Sequence, residues 1–140
     1  MAFKILVVDD SQPMRAVIIK TIRAAGYGDA EFLEAANGRD ALAQVGKHWL
    51  DIVITDYNMP DMNGMEMLAA FKKDPVLASI PVLMVTTEGS RERVEAFLRM
   101  GAAGYIKKPF TPEKIREKLM SILGAPHGEA FEKSDAGLDF

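Results

Sequence analysis

The sequence predicts an α/β fold, in which one parallel β-sheet is covered by helices on both faces. Apolar runs at residues 5–8, 52–54 and 82–85 are short and rich in β-branched side chains, which is typical of strands buried on both faces. Two shorter and more polar segments bring the number of predicted strands to five. Segments with apolar residues at helical spacing separate the strands, so that five strands alternate with five helices. Such alternation is typical of a sheet whose strands all run in one direction.

The first two strands and helices are marked by their end signals. After the strand at residues 5–8, Ser11 can cap a helix, Pro13 is tolerated in its first turn, and Gly26 ends it. The apolar stripe of this helix is Met14, Val17, Ile18, Ile22 and Ala25. The second strand carries Phe32 and Leu33 between two glutamates, which suits a sheet edge. Its helix follows Asn37-Gly38 and packs through Leu42 and Val45.

The third strand ends in Asp56, just before Pro60 and the turn signal Asn63-Gly64. Trp49, which precedes this strand, is expected to pack against the core. The third helix places Met65, Leu68 and Phe71 inward and ends at Asp74-Pro75.

Two further strand and helix pairs complete the pattern. The fourth strand ends in Thr86 and Thr87, and Ser90 caps a helix whose inner side is Val94, Phe97 and Leu98. The fifth strand, at 104–109, is short and polar, as an edge strand is. Thr111-Pro112 begins the last helix, whose inner face is Ile115, Leu119 and Ile122.

Composition limits the possible functions. The chain has 140 residues, 49% of them hydrophobic, no cysteine and no apolar run approaching a membrane span of about 20 residues. This composition predicts a cytoplasmic protein without disulfides or a membrane segment. We also expect a monomer. We expect one domain at 1–124 and an acidic, disordered tail at 125–140. The tail accounts for the net charge of −3, and neither part has the basic excess that nucleic-acid binding requires.

The predicted topology brings acidic side chains together. Polar strands 2 and 5 belong at the edges, which fits the flavodoxin-like order 2-1-3-4-5, and in that arrangement ligands bind where the winding reverses between strands 1 and 3. Asp9 and Asp10 follow strand 1 and Asp56 ends strand 3. Three carboxylates therefore meet in one crevice.

Three adjacent carboxylates repel each other unless a cation offsets their charge, and an all-oxygen site without histidine or cysteine suits Mg²⁺. Thr86 adds a hydroxyl at the end of strand 4, and Lys108 adds a positive charge at the end of strand 5. Each of these residues alone is more often a turn former, a strand residue or a solvated lysine. Together they indicate transfer of a phosphoryl group onto Asp56.

The same residues resemble the receiver domains of two-component response regulators over residues 3–124. The resemblance rests on Asp9-Asp10, Asp56 with Met59-Pro60, Gly64, Thr86 and Lys108-Pro109, and it is closest to the single-domain CheY-like chemotaxis regulators. It implies that Asp56 is the phosphoacceptor, with Mg²⁺ held by Asp10, Asp56 and the Asn58 backbone carbonyl, assisted by Asp9.

The resemblance also assigns the remaining site residues. Thr86 and Tyr105 are the switch pair, Lys108 contacts the phosphoryl group, and the Lys108-Pro109 peptide is expected to be cis. Asn58 and Glu88 border the path of attacking water and set the phosphoryl lifetime. The partner face is the fourth helix, fifth strand and fifth helix, with Arg91, Lys107 and Lys118.

The function that follows is a switch protein rather than an enzyme, with at most slow self-catalysed phosphorylation and dephosphorylation. A histidine kinase would phosphorylate Asp56, and the altered surface would bind an output protein such as a flagellar motor switch component. A phosphorelay intermediate and a phosphate sink remain open. An aspartyl-phosphate phosphohydrolase is disfavoured because Asn58 stands where a second carboxylate would act as general acid and base. A flavin carrier is disfavoured because Asp9 and Asp10 would repel its phosphate.

Two other features complete the analysis. His48 and His127 are isolated in sequence from each other and from the acidic cluster, which argues against a transition-metal site. The tail at 125–140, which ends in Leu138-Asp139-Phe140, is either dispensable or competes with an acidic partner for the basic face through a weak, salt-sensitive contact.

Overall fold

The computed structural model describes residues 2–87 and 89–126, which form five strands and five α-helices in strict alternation. The strands are β1 (Lys4–Val8), β2 (Glu31–Ala35), β3 (Ile52–Asp56), β4 (Val82–Thr86) and β5 (Gly104–Lys107). The helices are α1 (Gln12–Ile22), α2 (Gly38–Val45), α3 (Gly64–Lys73), α4 (Arg91–Arg99) and α5 (Pro112–Leu123).

All neighbouring strands pair in parallel in the order β2-β1-β3-β4-β5, as the sequence predicted. The two polar strands stand at the edges. At the reversal point, Val8 of β1 lies opposite Thr55 of β3, so the residues that follow β1 emerge beside Asp56. The fold therefore directs Asp9, Asp10 and Asp56 to one edge of the sheet.

The core consists of two apolar layers, one on each face of the sheet. Alternation along β1 sends Leu6 and Val8 into one layer and Ile5 and Val7 into the other. The first layer is filled by α2, α3 and α4, with Phe71 and Phe97 fully buried. The second is filled by α1 and α5, which contribute residues including Ile18, Ile22, Ile115 and Leu119. A sheet buried on both faces explains why its central strands are continuous apolar runs.

Side-chain caps fix where the helices begin. Ser11, Asn37, Asn63, Ser90 and Thr111 each accept a hydrogen bond from a backbone N–H in the first turn. Asn63 and Glu66 also form a reciprocal capping box at the start of α3. The predicted start signals at Ser11, Ser90 and Thr111 are thus the caps in the structure.

Some predictions of packing are wrong. Val17 is 55% exposed because Met14, Ile18 and Ile22 already form the inward stripe of α1, and Leu98 is exposed while its neighbour Phe97 is buried. Trp49 is not packed: it lies 80% exposed before β3, and Leu50 fills the core position there.

Connections differ from the prediction in two places. The first helix continues as a π-helical turn, Arg23–Tyr27, in which Gly26 takes a φ of 111°, a left-handed value suited to glycine. A short 3₁₀ turn, Leu77–Ser79, lies between α3 and β4. Both segments connect regular elements and leave the order of the strands in the sheet unchanged.

None of the helices within residues 2–87 and 89–126 combines the length and apolarity needed to cross a bilayer. Helix α5 ends at Leu123, next to the predicted domain boundary at residue 124. The predicted disorder of the acidic tail concerns residues 125–140, of which 127–140 lie outside the described residues.

Candidate phosphoacceptor site

The predicted acidic cluster is present at the carboxyl edge of the sheet. Asp9, Asp10 and Asp56 each offer a carboxylate oxygen, and these oxygens all lie within 4.8 Å of one another. Asp9 and Asp56 are buried, at 2% and 6% exposed, whereas Asp10 is open to solvent. Two of the three carboxylates are therefore buried, and a small ligand can enter from the side of Asp10.

Lys108 forms ion pairs with the carboxylates of two of these acids. Its Nζ lies 3.2 Å from Asp56 Oδ1 and 3.6 Å from Asp9 Oδ2. The Lys108 backbone N–H donates to the Thr86 carbonyl at 2.8 Å, and the Lys108-Pro109 peptide is cis, as expected. Because β5 pairs with β4 and β4 pairs with β3, Lys108, which follows β5, reaches Asp56 along the carboxyl edge of the sheet.

Burial and charge act against each other on Asp56. Removal from water raises the pKa of this carboxyl above its ordinary value of 3.8, the Lys108 ammonium lowers it by charge and hydrogen bonding, and the charges of Asp9 and Asp10 raise it. The net direction is upward. Asp56 is therefore a carboxylate whose ionised form is destabilised by its surroundings, which marks functional sites more often than structural ones.

One oxygen of the cluster lacks a hydrogen-bond donor. Asp9 Oδ1 accepts the Ser11 N–H at 2.9 Å. Among residues 2–87 and 89–126, the buried Oδ2 has no hydrogen-bond partner, and the Lys108 ammonium lies 3.6 Å from it. Buried carboxylate oxygens are normally satisfied. An unsatisfied oxygen, two further carboxylates and no nitrogen or sulfur donor in the cluster fit a hard divalent cation such as Mg²⁺.

Comparison with known proteins agrees with this geometry. The family described as response regulator receiver domain matches residues 5–120. This chain belongs to that family. The receiver domain resembles the chemotaxis protein CheY homolog of Campylobacter jejuni, with 42% identity over 127 residues, which are 90% of this chain and 96% of that protein. Chemotaxis protein CheY1 of Helicobacter pylori is also 42% identical, over 86% of this chain and 97% of its own length.

Solved structures give the same result. Chemotaxis response regulator CheY4 of Vibrio cholerae superposes on the receiver domain with a TM-score of 0.79 and 39% identity, covering 88% of this chain and 100% of that one. CheY in the CheX–CheY–BeF₃–Mg²⁺ complex from Borrelia burgdorferi superposes with a TM-score of 0.77 and 28% identity, covering 86% of this chain and 88% of that one. These neighbours support a flavodoxin-like receiver fold.

Three of the residues predicted to tune and relay phosphorylation lie on or directly after the strands β3, β4 and β5. Thr86 is fully buried at the end of β4, Asn58 is exposed on the loop after β3, and Tyr105 is half-buried on β5. The Lys118 ammonium lies 5.2 Å from the centre of the Tyr105 ring. Glu88 lies outside the described residues. The receiver domain therefore places Thr86 on β4, which pairs with the strand of Asp56, and Tyr105 on β5, one strand further out.

The predicted partner face is divided between a groove and a helix end. Lys107 and Lys118 line a groove of about 440 Å³ beside Tyr105, together with Lys108 and Lys114. Arg91, which begins α4, is exposed but does not line this groove. Lys114 was missed by the sequence analysis, although its spacing of four residues from Lys118 on the last helix places the two on one helix face.

Two contacts beside the site were not predicted. The ring of Tyr57, the residue after Asp56, packs against Phe97 at 5.5 Å between ring centres, and the Arg93 guanidinium lies 4.3 Å from the centre of the same ring. Arg15 bonds to the Asp9 carbonyl and to Glu34. Neither arginine stands in a local motif, so only the folded structure reveals these partners.

Proposed function

We propose that this receiver domain is a phosphorylation-controlled binding protein, in which a histidine kinase phosphorylates Asp56 in a Mg²⁺-dependent reaction and the altered surface binds an output partner in chemotaxis or motility signalling. The observation that carries the proposal is the buried Asp56 carboxylate held 3.2 Å from Lys108, among acids whose oxygens lie within 4.8 Å. Chemotaxis is supported by the names of relatives that are 42% identical.

The chemistry assigned to Asp56 is nucleophilic. A carboxylate oxygen of Asp56 attacks phosphorus, the bond from phosphorus to the donor breaks, and the bonding electrons leave with the donor. Lys108, 3.2 Å from Asp56 Oδ1, is placed to pair with a phosphoryl oxygen as negative charge moves onto this site. Burial raises the pKa of Asp56, and the Lys108 charge acts in the opposite direction by favouring the ionised carboxylate, which is the form that attacks.

The proposed Mg²⁺ ligands are the carboxylates of Asp10 and Asp56 and the backbone carbonyl of Asn58, with Asp9 assisting. When bound there, Mg²⁺ would offset negative charge on the transferring group. The unsatisfied Asp9 Oδ2 supports a cation at this place. The structure of CheY from Borrelia burgdorferi is described as a complex with CheX, BeF₃ and Mg²⁺, which supports Mg²⁺ as the metal by similarity.

The output is proposed to be a change at the face formed by α4, β5 and α5. Phosphorylation gives the Thr86 hydroxyl a new acceptor, and movement of Thr86 toward it opens space into which Tyr105 turns. Tyr105 borders the groove that carries Lys107 and Lys118, which suits an acidic partner such as a segment of a flagellar motor switch component.

Two alternatives use the same chemistry with a different output. A relay intermediate or a phosphate sink would need Asp56 phosphorylation but no partner at the lysine groove. A phosphohydrolase is disfavoured because Asn58, two positions after the nucleophile, has no carboxylate for general acid and base catalysis. The absence of this carboxylate favours a switch with slow turnover. We propose that the switch is cytoplasmic and monomeric and consists of a domain at 1–124 with an acidic tail.

A beryllofluoride experiment tests the switch. We expect BeF₃⁻ with Mg²⁺ to shift the amide NMR signals of Thr86 and Tyr105 as well as those next to Asp56, and we expect the Asp56→Asn variant to show no such shifts. The Tyr105→Ala variant serves as a control, because it should still bind beryllofluoride. Changes confined to the loops around Asp56 would contradict coupling to the output face.

A further inference from the structure

Arg15 connects the acidic cluster to the edge of the sheet. Its side chain, only 13% exposed, projects from α1, and its Nη1 donates to the backbone carbonyl oxygen of Asp9 at 2.6 Å. Its Nε donates to Glu34 Oε1 of the edge strand β2 at 2.8 Å. The Glu34 backbone carbonyl in turn accepts from the Gln44 side chain of α2. One guanidinium thus joins three elements at the point where the acidic loop leaves β1.

The carbonyl that Arg15 holds belongs to the peptide between Asp9 and Asp10. The Asp9 N–H already donates to the Ala35 carbonyl at 3.1 Å, and Asp9 Oδ1 accepts the Ser11 N–H at 2.9 Å. With the carbonyl bonded as well, both polar backbone groups of Asp9 and one side-chain oxygen have partners, whereas Oδ2 has no hydrogen bond within the described part of the chain. The orientation of this peptide sets the direction in which the Asp10 side chain leaves the backbone.

The charge of Arg15 would oppose a cation at the same place unless it were offset. An arginine beside three carboxylates supplies positive charge that competes with a metal ion. Glu34, at 2.8 Å from Nε, offsets that charge on the side of the guanidinium away from the cluster. The pair can therefore fix the backbone while adding little net charge. Lysine at this position would keep the charge but lacks the planar set of donors that makes both bonds.

We propose that Arg15 is a positioning residue for the cation site: its bond to the Asp9 carbonyl presets the Asp9 and Asp10 carboxylates for Mg²⁺, and Glu34 keeps the arginine oriented and electrically neutralised. This inference rests on the proposed function, which requires Mg²⁺ at the same carboxylates. It assigns a role to two residues that contact neither the phosphoryl group nor the metal. Partners outside the ligand shell commonly change metal affinity by about tenfold to a hundredfold when removed.

Isothermal titration of the full chain with MgCl₂ tests the proposal. We expect Arg15→Gln and Arg15→Lys each to weaken Mg²⁺ binding by about tenfold or more. Glu34→Gln should weaken it as well, because it frees the arginine and exposes its charge to the cluster. The Arg15→Gln/Glu34→Gln double variant should bind Mg²⁺ as Arg15→Gln does, since Glu34 acts through the arginine.

Arg23→Gln is the matched control. Arg23 also donates to a backbone carbonyl, that of Gly28 at 2.8 Å. Gly28 lies in the connection between α1 and β2, which enters β2 at its amino end, whereas the acidic cluster lies at the carboxyl ends of the strands. Its loss should leave the Mg²⁺ dissociation constant unchanged. Binding is measured well below each variant's melting temperature, so that a change in stability alone does not alter the dissociation constant.

The outcomes separate the two proposals. If the unaltered chain binds Mg²⁺ and the Arg15 variants bind it equally well, the positioning role is refuted while the proposed function stands. If the unaltered chain binds no Mg²⁺, both are refuted. Should Arg15→Gln fail to fold, Arg15→Lys and Glu34→Gln still decide, and equal affinity in both would overturn the inference.

Discussion

Replacement of Gly64 by alanine should destabilise the receiver domain through contact with the end of strand β3. A Cβ at Gly64 would lie 2.7 Å from Met84 Sδ, 2.9 Å from the Asp56 carbonyl oxygen and 3.1 Å from Tyr57 Cα. The methionine can move aside, but the other two atoms belong to backbone at the end of β3. Gly64 has no positive φ, so close approach, and not a left-handed turn, requires glycine here.

The expected size follows from two opposing terms. Forcing one carbon into a packed site costs about 1–3 kcal/mol. Alanine in place of glycine in a helix returns about 0.5–1 kcal/mol, and Gly64 is the first residue of α3. The net loss of unfolding free energy is then about 1 kcal/mol. With a urea m-value of about 2 kcal/mol/M, the unfolding midpoint should fall by about 0.5 M.

Gly46→Ala is the matched control for this substitution. Gly46 ends α2 with a φ of −74°, and the atoms nearest to its added Cβ would lie at 3.6 and 3.9 Å, which are ordinary contacts. Alanine there should not lower the midpoint, because its Cβ makes only ordinary contacts. The effect of the change on the unfolded chain is similar at both positions, so the difference between the two variants reports the close approach at Gly64. Equal midpoints for the Gly64 and Gly46 variants in urea would refute the argument from close approach.

Three further predictions concern charge. Because the pKa of Asp56 is raised in the folded protein, the unfolded chain loses this proton first, and the contribution of Asp56 to stability should fall as pH rises from 3.8 through the folded-state pKa. Asp56→Asn should therefore be the more stable protein at neutral pH in thermal denaturation without Mg²⁺. Equal melting at neutral pH would contradict this. Asn58→Asp should alter the rate of phosphoryl loss while phosphorylation still occurs, as followed by NMR, and an unchanged rate would remove Asn58 from the mechanism. A chain ending at Gly124 should bind the partner more tightly than the full chain at low salt, with the difference shrinking at high salt; equal affinities at low salt would make residues 125–140 dispensable for binding.

The sheet could be predicted from sequence because its central strands are buried on both faces. Runs such as 52–54 have no polar face, and that pattern alone separates central from edge strands. The carboxylates could be predicted because parallel strands end at the same edge, which places Asp9, Asp10 and Asp56 together. Topology and spacing were sufficient for both.

Side-chain burial at helix margins could not be predicted in the same way. Val17 and Leu98 lie beside the inward stripe, and a rotation of one position decides whether such a residue is buried. Trp49 was expected to pack because large aromatic side chains usually do, yet the core position at that strand entry is filled by Leu50.

Contacts to backbone atoms were also beyond the sequence analysis. Arg15 bonds to a carbonyl oxygen, and every residue has one, so no residue pattern identifies the acceptor. Gly64 was taken as a turn former, whereas its role depends on atoms of β3 and β4 that approach it only in the fold. Such partners are set by tertiary packing and are visible only in the structure.

The most direct test of the central claim is mass spectrometry of the intact protein after treatment with acetyl phosphate and Mg²⁺. We predict a mass increase of one phosphoryl group, located at Asp56 by peptide mapping, and no increase in Asp56→Asn, because the amide is neither a nucleophile nor an anionic ligand. Omission of Mg²⁺ should suppress the reaction in the unaltered chain. An unchanged mass with Mg²⁺ present, or equal phosphorylation of the Asp56→Asn variant, would contradict the assignment of Asp56 as the phosphoacceptor.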